Sequence, residues 1–114
     1  MITRPVGPDL IAGNITSTHD TEAATVAVEI VRAAVAAQRH VLHGVQWSYA
    51  GGTVTGKLTI KNGATTVYET DITATGPGGH TLYIETDIGA VLTVTLGGGG
   101  TGVTGKLNIQ TTTR

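Results

Sequence analysis

Two stretches carry the spacing of a phosphate-binding loop. Gly51 to Lys57 and Gly100 to Lys106 each fit G-x-x-x-x-G-K. In such a loop backbone N–H groups cradle phosphate, the lysine reaches it, and a following Ser or Thr holds magnesium. Here Leu58 and Leu107 stand where that hydroxyl is needed. Both copies then run on with apolar residues at every second position, where phosphate binding requires a helix N-terminus. Neither is read as a nucleotide site. His40 and His43 are three apart, which on a strand puts them on opposite faces, so they do not chelate one metal together. His43 reads as a partly buried histidine with a backbone partner. Glu69-Thr70-Asp71 and Glu85-Thr86-Asp87 each place two carboxylates on one strand face. Such pairs serve glycosidases or bind calcium. They also make a solvated face that blocks edge pairing, matched here to Lys57, Lys61 or Lys106, and this second reading is favoured. Ser17 and Ser48 lack the flanking glycines of a nucleophile elbow. No catalytic, cofactor-binding or metal residue is assigned, no cofactor is expected, and the chain is not read as an enzyme.

Composition narrows the classes further. The chain has 114 residues, the length of one domain, with 13% charged residues and a net charge of −1. That balance leaves no electrostatic footprint for nucleic acid or an anionic membrane. With no cysteine, a thiolate nucleophile or Cys-based zinc site is ruled out. No apolar run of signal-peptide or membrane-span length is present. Abundant glycine and threonine suit short strands with many turns.

The elements that must position these residues centre on Arg39 to Lys61. Period-2 alternation puts Val41, His43, Val45, Trp47 and Tyr49 on one strand face. Trp47, the single tryptophan in a chain without phenylalanine, is the expected core anchor. Trp47 and Tyr49 would instead form a sugar-stacking platform if their face were exposed. Residues 24–32 read as a strand and 33–38 as a connector with room for one helical turn. Asn62-Gly63 between two alternating runs marks a hairpin. A register with Leu58 and Ile60 beside Tyr68, Thr70 and Ile72 avoids burying Glu69 and Asp71. It calls for a three-residue bulged loop with Gly63 left-handed, and puts Lys57 on the face of Glu69. Gly76 to Gly79 reads as a turn. Strands are expected at His80–Glu85, Val91–Leu96 and Val103–Gln110, with a glycine loop at Gly97–Gly100 and a polar tail from Thr111. Thr53–Ile60 is echoed by Gly102–Ile109, which suggests related positions, one in each sheet. About seven to eight short strands with regular turn signals give a single-domain antiparallel β-sandwich, jelly-roll-like, over residues 21–114. Residues 1–20 read as an extended N-terminal arm. Its proline and apolar residues, Ile2, Pro5, Val6, Pro8, Leu10 and Ile11, share no period. They suit a frayed terminus and equally an arm whose anchors order on a partner.

The succession RHVLHGVQWSYAGG, TGKLTIKNGATTVYETDITATGPGG, GAVLTVTLGGGG and VTGKLNIQ resembles the capsid decoration, or cement, proteins of tailed bacteriophages. The resemblance covers roughly Gln38 to Gln110. It implies a β-sandwich or jelly roll that oligomerises, as a trimer before a dimer, over the outer capsid surface and contacts the major capsid protein. It implies location on the virion, after synthesis in the host cytoplasm, with no nucleic acid or membrane partner. The arm, residues 1–20, would then supply capsid or neighbour contacts. The competing class is a carbohydrate-binding or adhesion module of a phage fibre or tail, suggested by Trp47, Tyr49, Tyr68, Tyr83 and the acidic pairs.

Overall fold

Alternating β-branched and polar residues between glycine-rich breaks build strands and no helix across the described residues, 15–23 and 26–114, of a computed structural model. The strands are β1 (Thr16–Ala23), β2 (Val28–Arg32), β3 (His40–Ala50), β4 (Gly56–Asn62), β5 (Thr65–Ile72), β6 (Gly76–Glu85), β7 (Leu92–Leu96) and β8 (Thr104–Thr113). They form two four-stranded sheets, ordered β1-β8-β3-β6 and β2-β7-β4-β5. Every pairing is antiparallel. Each consecutive crossing between sheets follows the double Greek-key order of an eight-stranded jelly roll, the expected fold class.

Leu58, Ile60, Leu92, Val94 and Leu96 of one sheet meet Leu42, Val45, Tyr49, Leu107 and Ile109 of the other in one buried cluster. Removing each such aliphatic side chain from water contributes about 1.5–3 kcal/mol. The repeated segments fall one in each sheet, as β4 and β8, with Val54 and Val103, Leu58 and Leu107, and Ile60 and Ile109 all buried. Their two glycine loops pack backbone to backbone. The Thr55 N–H donates to the Gly99 carbonyl at 2.9 Å. A Cβ on Gly51, whose φ is +90°, would lie 2.4 Å from the Gly102 carbonyl oxygen. The Gly97–Gly100 loop is thus held against another stretch of backbone, at Thr55 and Lys57.

Several expectations need correction. In β3, Leu42 faces Thr111 and Gly44 faces Gln110, so His43 is an extra residue against β8. That bulge shifts the alternation. Leu42 joins Val45 and Tyr49 in the core, while Val41 is buried outside the cluster. Trp47 is not the central anchor: it is half-buried and packs at the margin of the core, and Tyr49, 1% exposed, takes the centre. Gly76–Gly79 is not a turn but the start of β6, an edge strand, where Pro77 needs no ladder donor. Thr111–Thr113 is no tail; it continues β8 along β3, with Thr111 also paired to Thr16 of β1. Residues 16–20 of the expected arm belong to β1, and residues 1–14 lie outside the described residues. β2 starts at Val28, residues 24 and 25 also lying outside, and the connector after it is a turn at Ala36-Ala37 with Ala37 left-handed rather than helical.

The hairpin register is as expected, with Leu58 opposite Thr70 and Ile60 opposite Tyr68. Gly63 is left-handed at φ +60°. The loop differs: Asn62 pairs with Thr65, leaving a two-residue loop, Gly63-Ala64, and the extra residue is Val67 inside β5. A bulge anywhere in the hairpin restores the parity that keeps Glu69 and Asp71 outside.

Candidate functional site

The proposed arm contacts, Ile2, Pro5, Val6, Pro8, Leu10 and Ile11, lie outside the described residues. The chain enters the described fold at Ile15, 56% exposed, and passes into β1. Among the described residues this strand pairs only with β8, so there it is an edge of its sheet.

The histidines are built into the sheet. His40, 3% exposed, donates from Nε2 to the Ala33 carbonyl at 2.8 Å. In the neutral ring Nδ1 therefore accepts from the Thr113 hydroxyl, also at 2.8 Å. His43 Nε2 meets the Thr112 hydroxyl at 2.8 Å, a side-chain partner where a backbone one was expected. Thr112 and Thr113 are successive on β8, so the two rings lie on opposite faces. No cluster of three or more His, Cys, Asp or Glu residues that could hold a metal ion occurs among the described residues.

One carboxylate of each acidic pair, Glu69 and Glu85, is paired with a cation. Lys57 faces Asp71 in register and reaches diagonally to Glu69 at 3.4 Å. Glu85 takes arginines rather than the expected lysines: Arg114 at 2.6 Å and Arg39 at 3.8 Å. The Arg114 hydrogen bond holds the Glu85 carboxyl below its ordinary value, helped by one from the Tyr83 hydroxyl. Arg39 and Arg114 were invisible as a pair in sequence because the mutual backbone bonds that join them link the start of β3 to the end of the chain.

Trp47, Tyr68 and His80 gather between the edge strands β5 and β6. The His80 ring centroid lies 5.4 Å from that of Trp47 and 5.8 Å from that of Tyr68. Gly78 lets the indole lie on the backbone of β6, since a Cβ there would sit 2.6 Å from Trp47 Cε2.

The first G-x-x-x-x-G-K copy ends in a different place from the second. An open pocket of about 420 Å³ is lined by Thr55, Gly56 and Lys57 at the start of β4, Asp71 and Thr73 at the end of β5, and Gly97 and Gly98 after β7. Gly97 is fixed there, its N–H donating to the Lys57 carbonyl at 2.7 Å and its carbonyl accepting from the Tyr49 hydroxyl at 2.5 Å. Lys57 leads into a strand and no helix N-terminus lies beside it, as the alternating sequence indicated. Sequence reasoning missed the pocket because it needs Gly97 and Gly98, after β7, brought beside the start of β4. The Gly97–Gly100 run was the available signal.

No protein-family model and no curated protein matches this chain.

Proposed function

We propose that this is a structural virion protein that binds the outer surface of a tailed-phage capsid and stabilises the lattice of the major capsid protein. The observation that carries the reading is the open edge at β1. In sequence, the apolar and proline residues of the N-terminal segment precede exposed Ile15 and a strand whose outer side has no neighbour in its sheet among the described residues. Such an edge, with a sequence that supplies anchors, suits contact with another chain. The jelly roll adds support by analogy, since viral capsid domains commonly use it, although a fold alone does not assign a function. The role is non-catalytic. Oligomers, trimers first, gain from several weak contacts acting together. Binding the assembled lattice and not its disassembled state raises lattice stability. The test is co-sedimentation with undecorated heads. The full chain should saturate them, and a chain lacking residues 1–14 should lose occupancy. Equal occupancy would reject the arm's role, and no binding by the full chain would reject the function.

A carbohydrate-binding or adhesion module of a fibre or tail is the second reading. It is favoured by the half-exposed Trp47 beside Tyr68 and His80. Quenching of Trp47 fluorescence by glycans distinguishes the two, because a decoration protein has no need of that response.

A further inference from the structure

The pocket at the start of β4 has a chemistry that the capsid reading does not use. Its side chains are two hydroxyls, Thr55 and Thr73, one ammonium, Lys57, and one carboxylate, Asp71. The rest is bare glycine backbone. The two hydroxyls both donate and accept, Lys57 only donates, and ionised Asp71 only accepts. A ligand suited to that mixture offers donors and acceptors in alternation around a small ring.

Charge removes the other classes. The Lys57 ammonium lies 3.4 Å from the Glu69 carboxylate and faces Asp71 in register. One cation among two anions leaves the neighbourhood net negative, which disfavours phosphate or a carboxylate ligand even though the lysine ends a phosphate-loop spacing. A metal ion lacks ligands here, since no group of three or more candidate residues occurs among those described. What remains is a neutral, hydroxyl-rich molecule. The volume, about 420 Å³, is within the range of small-molecule sites.

The glycine backbone of the pocket is preorganised. Gly97 is tied to Lys57 and Tyr49, and the Thr55 N–H is tied to Gly99. A Cβ on Gly56 would lie 2.1 Å from the Tyr49 hydroxyl, and one on Gly97 would lie 3.3 Å from the Lys57 carbonyl oxygen. Core packing demands Gly56, and the nearby Lys57 backbone crowds any side chain at Gly97, so the pocket keeps bare, hydrogen-bonded backbone against which a ring can settle at little ordering cost.

We propose that this pocket binds a sugar residue, either free or as part of a glycan. The proposal is independent of capsid attachment and is tested without heads. Amide NMR spectra of the ¹⁵N-labelled full chain are followed during separate titrations with glucose, galactose, N-acetylglucosamine, maltotriose, chitotriose and inorganic phosphate. The expected result is a saturable shift of the Thr55, Lys57, Gly97 and Gly98 amides with at least one sugar and none with phosphate. Tighter binding of a trisaccharide than of its monosaccharide marks a glycan, and equal binding a free sugar. Asp71→Asn and Thr73→Val, both at exposed positions, should each weaken binding about tenfold while leaving the remaining spectrum folded. Absence of a saturable shift with every sugar, a phosphate shift at the same amides, or affinity unchanged in both variants would overturn the proposal.

Discussion

Tyr49 stands where the repeated segments meet, and the glycines around it are there for steric reasons. A Cβ on Gly99 would lie 2.8 Å from its ring and one on Gly56 closer still. Gly56→Ala should therefore destabilise the fold by about 1–3 kcal/mol through overpacking, read as a lower urea midpoint with an unchanged slope. A midpoint equal to that of the parent chain would contradict this packing. Burial pushes the Tyr49 phenol above its ordinary 10.0, a backbone hydrogen bond at Lys57 pulling partly the other way. The neutral form is thus favoured in the fold. Its contribution is complete below pH 10 and is lost as pH rises through the folded-state value, because the unfolded chain ionises first. Tyr49→Phe should cost about 1 kcal/mol near neutrality, from the lost bond to Gly97, and should flatten the alkaline fall in stability. An identical alkaline fall in both proteins would contradict this. Glu85 behaves in the opposite sense. Arg114 lowers its pKa, so its small exposed contribution is present above the unfolded value of 4.5 and fades as pH drops through the folded one.

At the scale of elements, the end of β8 is the part most at odds with its sequence. Thr111 and Thr112 are 2% and 7% exposed, and Arg39 and Arg114 exchange backbone hydrogen bonds of 2.8 and 2.9 Å. Truncation after Gln110 should cost at least about 2 kcal/mol through lost pairing with β3 and β1, measured by urea unfolding. A truncated chain as stable as the full one would show that this segment is the dispensable tail its polar sequence suggests. Threonines carry no apolar alternation, so the burial of Thr111 and Thr112 could not be read ahead of the pairing. The same holds for the bulge at His43, which the partner strand decides. Gly76–Gly79 has turn composition, yet an edge strand tolerates Pro77 and Trp47 needs the bare Gly78. By contrast the two-sheet class, the echo placed one copy in each sheet, the β4–β5 register and the Lys57–Glu69 pairing were legible. Each follows from which side chains must avoid water. The pocket was not legible, because it joins the β4–β5 hairpin to the segment after β7 only once β7 is paired with β4.

For the whole molecule, the proposed role asks for a stable module with an open edge, and the jelly roll offers both. Aliphatic rows from the two sheets fill the interior, and β1 lies at a sheet edge among the described residues. The expected consequence is an affinity that depends on the assembled lattice, since contacts spread over several subunits act together only there. A cryo-EM map of the particle that carries this chain tests the central claim most directly. The account predicts eight-stranded jelly-roll density on the outside of the shell, with residues 1–14 running from the β1 edge onto major capsid protein or a neighbouring copy. Density for the chain at a tail or fibre tip, with the outer shell bare, would contradict it.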